Sequence, residues 1–306
     1  MNETCVKANT AKAWLLAARP KTLTAAAVPV MIGVSSAFAL YGDDIRVVPA
    51  VLCLLFALVM QIDANFVNDY FDFMKGTDDE QRLGPKRACA QGWITASTMR
   101  KGLLITTIAA CLIGLPLICF GGWEMILVGL ACVLFCFLYT ISFSYNGLGD
   151  VLVLVFFGLF PVCLTFWLVA PPMSLLSMPF SVVIYAVACG LVIDTLLIVN
   201  NYRDIDNDRR TGKKTLIVRI GKRAGLWLYL LCGVVAPILH SVCACSFGWG
   251  AALLPLLYIP FHVVAYMEMK RIDKGRELNN VLGLTARNMF FYGIFVVMGF
   301  VLNSAF

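Results

Sequence analysis

The sequence is poor in charged residues. Only 14% of its 306 residues are Asp, Glu, Lys or Arg, whereas a soluble domain of this size carries about 25%. Hydrophobic residues make up 60% of the chain, and the mean hydropathy is +0.85. This shortage of charge argues against an ordinary soluble protein and indicates a chain that resides in lipid.

Motifs for structural metals and disulfides are also scarce. The two histidines, His240 and His262, lie isolated in apolar runs and lack the neighbours of a metal site. Twelve cysteines are present, but no two of them form a Cys-x-x-Cys pair. Because most lie inside apolar runs, we interpret them as small packing residues.

Long apolar runs dominate the rest of the chain. A helix needs roughly 17–25 residues to cross about 30 Å of hydrocarbon. We therefore predict an all-α polytopic membrane protein, with nine transmembrane helices in one bundle. The predicted spans are Thr22–Tyr41, Val47–Val67, Gly102–Phe120, Met125–Phe143, Val151–Ala170, Ser181–Val199, Gly225–Phe247, Trp249–Met267 and Asn288–Phe306.

The basic residues predict the orientation of this bundle. With nine spans, 23 of the 24 Lys and Arg residues fall on one side and only Arg46 falls on the other. The positive-inside rule makes the basic side cytoplasmic, with the N-terminus inside and the C-terminus outside. Eight or ten spans would break this asymmetry. The net charge of +6 then reflects topology and anionic lipid, and nucleic acid is not needed to explain it.

Two polar stretches each follow an apolar run, NDYFDFMKGTDDEQRLGPKR at 68–87 and IVNNYRDIDNDRRTGKKT at 198–215. A shift of 136 residues superimposes parts of them, pairing Asn65 with Asn201, Asn68 with Asp204, Asp72 with Asp208, and Gly76 with Gly212. We interpret this echo as a pseudo-repeat with halves at about 20–145 and 150–306, inside one membrane domain over 1–306. Such repeats commonly build one shared site between the halves.

Two sets of Asn and Asp residues recur after three or four and then seven residues, so a helix would place each set on one face. The first set is Asn65, Asn68 or Asp69, and Asp72, and the second is Asn201, Asp204 and Asp208. Carboxylates crowded at the C-terminal end of a helix repel one another and oppose its dipole. A divalent cation would relieve that repulsion, and oxygen ligands favour Mg²⁺ over Ca²⁺. The predicted metal ligands are Asn68, Asp69, Asp72, Asp204 and Asp208.

Cationic residues flank these acids and predict a phosphate site, because Arg clamps phosphate oxygens in pairs and Lys supplies a point charge. The residues predicted to bind a lipid-tailed diphosphate are Arg19, Lys75, Arg82, Arg87, Asn201 and Lys214. Alternatively, the charges are solvated loop residues. That interpretation accounts for Asp79 and Glu80, but it does not account for two matched acidic helix faces. Asp194 lies inside the sixth span, where either a polar cavity reaches it or it is buried and protonated.

These motifs resemble the UbiA superfamily of intramembrane prenyltransferases, which has an Asn-Asp-x-x-Asp motif after the second helix and an Asp-x-x-x-Asp motif after the sixth. Here they occupy 68–72 and 204–208. The stretches at 18–23, 68–78, 82–87 and 200–221 are most similar to the branch that acts on 1,4-dihydroxy-2-naphthoate. The connection at 139–150 departs from the family because it lacks proline, although Tyr139 and Asp150 still fit.

The resemblance implies Mg²⁺-dependent transfer of a polyprenyl chain from its diphosphate to 1,4-dihydroxy-2-naphthoate, with loss of CO₂ and diphosphate. It implies a bacterial inner-membrane enzyme with its site near the cytoplasmic face. The implied catalytic residues are Asp72, Asp208, Lys75, Arg87 and Tyr139, and the candidates for facing an allylic cation are Phe66, Phe71, Tyr139 and Phe143. Two alternatives stay open: another aromatic acceptor, such as 4-hydroxybenzoate or a tetrapyrrole, and a cation-coupled transporter.

Overall fold

The chain folds into helices joined by short turns. The computed structural model describes residues 6–76, 82–141, 143 and 146–304, and this part of the chain contains no β-strand. The acidic residues Asp78, Asp79 and Glu80 of the first polar stretch lie outside the described residues. The α-helices are α1 (Ala11–Ala18), α2 (Thr24–Tyr41), α3 (Val47–Met74), α4 (Ala96–Gly114), α5 (Ile118–Gly121), α6 (Glu124–Ile141), α7 (Gly149–Val153), α8 (Phe160–Val169), α9 (Phe180–Arg203), α10 (Ile205–Arg210), α11 (Leu216–Ile220), α12 (Lys222–Ala244), α13 (Trp249–Leu253), α14 (Tyr258–Ile272) and α15 (Leu278–Ser304).

Eight helical segments of the described chain are long and apolar enough to cross a membrane. They are Thr24–Asp44, Val47–Met74, Ala96–Gly121, Gly149–Val169, Phe180–Arg203, Lys222–Phe247, Trp249–Ile272 and Leu278–Leu302. A further apolar helix, Glu124–Thr140, is shorter. The predicted all-α membrane fold is therefore confirmed, and each predicted span corresponds to one of these segments.

The segments differ from the predicted spans mainly at their polar ends. Helix α3 continues to Met74, and helix α9 continues to Arg203. The spans predicted from hydropathy ended earlier, at Val67 and Val199. Helix α15 begins at Leu278, ten residues before the predicted start. Polar residues can extend a membrane helix where other parts of the protein supply their hydrogen bonds. As a result, the acids of the first polar stretch sit on the last turns of α3.

Helix α9 is the central element of the bundle. In its most apolar window 67% of residues are buried inside the protein, a larger share than in any other span. It packs against α2, α12, α15 and the segment from α7 to α8. Fully buried aromatic rings, Phe166, Tyr185, Tyr292 and Phe300 among them, fill the core around it. This packing fixes the end of α9, from which the second polar stretch continues.

The topology gives a direct prediction. We expect a reporter fused after Phe306 to be active only on the outer side of the membrane, because 23 of 24 basic residues would then face the cytoplasm. A reporter fused before Lys7 serves as the matched control and should be active inside. Cytoplasmic activity of the C-terminal fusion would contradict nine crossings.

Candidate functional site

The last turns of α3 are tied to their neighbours by amide side chains. The Asn68 Oδ1 accepts a hydrogen bond from Thr140 Oγ1 at 2.6 Å, which joins α3 to α6. The Asn65 Nδ2 donates to the Ala18 carbonyl and to Thr22 Oγ1, both at 2.9 Å. These bonds hold the turn that contains Arg19, whose backbone is left-handed with φ of 52°.

The two carboxylates of the first stretch that the structure describes, Asp69 and Asp72, have different partners. Both oxygens of Asp69 accept backbone N–H groups, from Ala88 at 2.8 Å and Cys89 at 2.9 Å. Asp72 instead pairs with Arg87, with 2.9 Å between Oδ2 and Nη2. Asp69 therefore anchors the loop that leads to α4. Its predicted role as a metal ligand stays a prediction, and these two bonds offer a structural role instead.

In the second stretch, Asp204 is held by Arg203. The Arg203 Nε and Nη2 donate to the two Asp204 oxygens at 2.8 and 2.6 Å. The same guanidinium donates to Asn200 Oδ1 at 2.8 Å and to Asn279 Oδ1 at 2.9 Å. Asn279 in turn donates to the Leu83 carbonyl at 2.8 Å. This network joins α9, α15 and the loop before Arg87.

The carboxyl group of Asp208 is buried. Its Oδ2 has no hydrogen-bond partner in the described part of the chain, while Thr215 bonds to the carboxyl group. Burial raises the pKa of the Asp208 carboxyl to about 6, and the charge of Asp204 adds to the rise. Lys213 and Arg203 oppose it. A buried acceptor without a donor is what a bound cation would satisfy.

A cavity of about 1020 Å³ connects the two stretches. Tyr139 lies on its wall and is within electrostatic reach of both Asp72 and Asp208. The predicted site residues that line it are Arg19, Asn68, Asp72, Arg82, Arg87, Tyr139 and Asn201. Those outside the lining are Asp69, Lys75, Asp204, Asp208 and Lys214. Lys75 donates to the Thr140 carbonyl at 3.3 Å, beside Asn68.

The predicted role of Lys214 in binding diphosphate stays a prediction, although the structure places its neighbour on the cavity wall. Lys214 is exposed, and its neighbour Lys213 lines the cavity. The Lys213 amide donates to the Asp208 carbonyl at 2.8 Å, so Lys213 closes the turn after α10. Adjacent side chains in a non-helical segment point in different directions, and the sequence Gly-Lys-Lys-Thr does not tell which of the two faces the site. Sequence reasoning also missed Gln61, Asn200 and Asp150 as lining residues.

The aromatic lining of the cavity also differs from expectation. Phe66 packs on Trp14 with 5.2 Å between ring centroids, and Phe71 packs on Tyr70 at the same separation. Neither ring lines the cavity, and Phe143 stacks behind Phe135. Of the four predicted aromatic residues, only Tyr139 reaches the wall, where Phe135, Phe156 and Phe160 stand beside it. The spacing of aromatic residues along a helix does not tell which rings line the cavity and which pack against other parts of the protein.

Away from its polar end the cavity is apolar and opens toward the lipid-facing surface. Its wall includes Leu115, Ile126 and Leu130, which are exposed on the outside of the bundle. Gly114 and Gly129 also line the cavity, and a Cβ atom on Gly129 would meet no atom from another part of the described chain within 4 Å. One cavity thus has a charged end near the two acidic stretches and an apolar side opening that suits a long hydrocarbon chain.

One backbone feature recurs at the two stretches. Gly76 and Gly212, which the shift superimposes, both have positive φ angles, 67° and 74°. Each ends the turn that follows an acidic segment. Residues other than glycine rarely adopt this conformation, so the echo includes a backbone requirement. The division into two halves stays a prediction.

Acidic ligands are not gathered into a preformed metal cage. Among the described residues, no group of three or more His, Cys, Asp or Glu side chains lies close enough to hold a metal ion. Asn68 and Asp72 of the first stretch line the cavity, and Thr215, whose side chain bonds to Asp208 of the second stretch, also lines it. A metal bound here would need further ligands from a substrate, as is usual for Mg²⁺ with phosphates.

Comparison with known families agrees with this geometry. The model of the UbiA prenyltransferase family matches residues 26–294. The chain belongs to this family. A UbiA family relative from Escherichia coli (strain K12), 1,4-dihydroxy-2-naphthoate octaprenyltransferase, is 38% identical over 296 residues, which is 89% of this chain and 93% of the relative.

Solved structures of UbiA homologues share the fold. The apo structure of a homologue from Aeropyrum pernix K1 has a TM-score of 0.69 at 14% identity and covers 90% of this chain and 96% of its own. A homologue from Archaeoglobus fulgidus bound to GPP and Mg²⁺ has a TM-score of 0.62 at 14% identity, covering 93% and 99%. At these identities the likeness concerns the fold alone.

The contacts of Asp69 generate a stability prediction. Asp69→Ala would leave two buried backbone N–H groups without acceptors, at about 1–3 kcal/mol for each group. We expect a clearly lower melting temperature in detergent. Asp206→Ala is the matched control, since the Asp206 side chain is 88% exposed, and should melt like the wild type. Normal melting of Asp69→Ala together with lost metal binding would favour the ligand role instead.

Proposed function

We propose that this UbiA family protein transfers a polyprenyl chain from polyprenyl diphosphate to 1,4-dihydroxy-2-naphthoate, releasing CO₂ and diphosphate, in menaquinone synthesis. The observation that supports it most is the single cavity with a cationic and acidic end and a lateral apolar opening. The acceptor is proposed from the sequence branch and from the relative in E. coli, which covers most of the chain.

The residues present fit divalent metal ions held at the polar end. Asp208 Oδ2 is a buried acceptor with no donor among the described residues, and its bonding partner Thr215 lines the cavity together with Asn68 and Asp72. An all-oxygen donor set suits Mg²⁺. When bound, Mg²⁺ would supply Lewis-acid stabilisation of the charge on the diphosphate oxygens. Asp204 would reach a metal only by exchanging its bonds to Arg203.

The chain's own cations stabilise the leaving group. Arg19, Arg82 and Arg87 line the polar end together with Lys213, and hydrogen bonds from fixed cations are strongest where negative charge develops. Arg87 pairs with Asp72 at 2.9 Å before substrate is bound. A diphosphate gives Arg87 a competing anionic partner, which releases the Asp72 carboxylate for other ligands.

The apolar part of the cavity provides the dry environment that an allylic cation requires. Tyr139 lines the same cavity as the row of rings formed by Phe135, Phe156 and Phe160. Adjacent rings in that row have centroids 4.8 and 5.0 Å apart. The negative faces of aromatic rings attract cations, so these rings can stabilise a positive charge while excluding water. The hydrocarbon tail would extend through the opening beside Leu115 and Ile126.

The proposed location follows from the same features. The spans show an integral membrane protein. The distribution of basic residues supports a bacterial cytoplasmic membrane with the site near the cytoplasmic face. Both substrates then enter from the side where soluble metabolites are made, and the lipophilic product leaves through the bilayer.

Metal dependence tests the proposal. In purified membranes with radiolabelled prenyl diphosphate and 1,4-dihydroxy-2-naphthoate, EDTA should abolish product formation and Mg²⁺ should restore it. Asp72→Ala and Asp208→Ala should each lower the rate by roughly 10²–10³-fold or more, because each removes stabilisation of the leaving group. Product would be measured by chromatography of the extracted quinone.

Asp206→Ala is the matched control for both variants, because it removes an exposed carboxylate from α10 and should stay close to wild-type rate. Full activity in Asp72→Ala or Asp208→Ala would remove that residue from the site. Assays of 4-hydroxybenzoate under the same conditions test the acceptor. If the wild-type protein prenylates 4-hydroxybenzoate and not the naphthoate, the proposed acceptor is wrong. The proposed reaction, transfer of a prenyl chain to an aromatic ring, would still stand.

The two acidic stretches should act as a unit. If Asp72 and Asp208 serve one diphosphate from opposite sides, neither stretch alone can stabilise its charge. Asp72→Asn, Asp208→Asn and the double variant should then have similar residual rates, since residues that act together are not additive. Losses of activation free energy that add in the double variant would indicate independent sites instead.

A further inference from the structure

Two membrane segments of this protein approach each other unusually closely through glycine. A Cβ atom on Gly158 would lie 2.7 Å from the Ala186 carbonyl oxygen and 2.9 Å from the Gly190 Cα. A Cβ on Gly190 would lie 3.2 Å from the Leu154 Cα. The backbone of the segment that continues from α7 therefore touches the backbone of α9, with no side chain between them.

The alignment of these two segments places two carboxyl groups opposite each other. The two segments run antiparallel, with Leu154 against Gly190 and Gly149 against Leu197. Asp150 lies four residues before Leu154, and Asp194 lies four residues after Gly190. Both residues therefore lie between the two contacts. They are 7% and 4% exposed, and their charges interact. The Oδ1 atom of each has no hydrogen-bond partner among the described residues.

The pair adjoins the cavity without belonging to the acidic stretches. Asp150 lines the cavity and Asp194 lies behind it. The Tyr139 hydroxyl is 3.6 Å from the position of a Cβ on Gly149, the residue next to Asp150. The titratable groups around the pair are Tyr139 from α6 and Cys232 from α12, and Asp72 and Asp208 also act on Tyr139 at the diphosphate end.

Another buried acid of the same bundle shows what a purely structural carboxylate looks like here. Asp63 on α3 is fully buried, and the hydroxyls of Thr106 and Thr107 donate to it, the latter at 3.1 and 3.2 Å. Both Asp63 oxygens are thus partnered. Asp150 and Asp194 each keep an oxygen that nothing in the described part of the chain partners, although burying such an atom is costly. Packing alone gives no reason to keep two of them side by side.

Adjacent carboxyl groups in a dry site do not both ionise, because their charges repel. Such a pair holds one proton between its members and carries one negative charge, so it can take up a second proton. In the proposed reaction, a ring hydroxyl of the acceptor loses its proton when the neighbouring ring carbon forms a bond to the prenyl chain. A proton acceptor on the cavity wall would serve that step.

We propose that Asp150 and Asp194 form a carboxyl pair that takes the hydroxyl proton of the aromatic acceptor during prenyl transfer and returns it afterwards. This inference rests on the proposed function. Asp150 exchanges the proton at the cavity wall, and Asp194 is a positioning residue that shares the proton behind it.

The step balances. The bond between the prenyl carbon and diphosphate oxygen breaks, and the diphosphate leaves with that electron pair. The ring carbon that carries the carboxylate bonds to the prenyl carbon, while the adjacent hydroxyl becomes a ketone and its proton moves to the pair. The bond to CO₂ then breaks, and its electrons restore the aromatic ring and place a negative charge on the former ketone oxygen. That oxygen recovers the proton, so no net proton is exchanged with solvent.

The experiment uses the full-length protein in membranes and two reactions. Release of diphosphate from prenyl diphosphate without acceptor reports the metal and phosphate machinery. Transfer to 1,4-dihydroxy-2-naphthoate reports the proton step. For Asp194→Asn we expect release within about threefold of wild type and transfer lowered roughly 10²-fold near neutral pH, in the range of general acid–base effects. The transfer defect should shrink as the pH rises and the acceptor hydroxyl ionises in solution.

Asp63→Asn is the matched control, because it makes the same change in another buried acid of the bundle and should keep the wild-type pH profile. A wild-type rate and pH profile for Asp194→Asn would overturn the inference, and so would equal losses of release and transfer. If Asp194→Asn does not fold, Asp150→Asn takes its place with the same expected and contradicting results. A wild-type protein that never prenylates the naphthoate would instead overturn the proposed function.

Discussion

The buried guanidinium of Arg203 is the interaction on which the polar end of this protein depends. Its side chain is fully buried, and it donates to Asp204, Asn200 and Asn279 together. A buried charge is costly unless all its partners are in place. These bonds therefore form as a set, and through Asn279 they reach the carbonyl of Leu83. The loop that carries Arg82 and Arg87 is held in position by a residue of α9.

Glycine completes this arrangement. A Cβ on Gly84 would lie 2.8 Å from the Arg203 Nη2, so the loop can approach the guanidinium only without a side chain at that position. Asp69 holds the far end of the same loop through the amides of Ala88 and Cys89. Both ends of the segment from Leu83 to Cys89 are thus anchored by charged groups. Arg87 lies between the anchors, within 2.9 Å of Asp72.

The carboxylates of the protein separate into groups by their partners. Asp69 and Asp204 have both oxygens bonded to the protein, and so does Asp63 in the membrane. Asp208, Asp150 and Asp194 each keep a buried oxygen that has no partner within the described residues. In a low-dielectric interior such atoms are expensive, and they are found around the cavity and not on the lipid face. The carboxyl oxygens that lack a partner among the described residues indicate where the protein interacts with other molecules or ions.

The sequence by itself determined the membrane class, the nine apolar segments and the approximate position of the site. Those features follow from local properties, because hydropathy and the spacing of Asp and Asn residues belong to single helices. Tertiary structure alone decided which acids remain available, with Asp69 and Asp204 taken by backbone amides and Arg203. It also decided that Lys213 and not Lys214 lines the cavity, and that Phe135 and Phe156 stand where Phe66 and Phe71 were expected. It placed Asp150 against Asp194 as well. These outcomes depend on contacts between residues far apart in the chain, and the periodicity of one helix shows which face a residue shares but not what lies opposite that face.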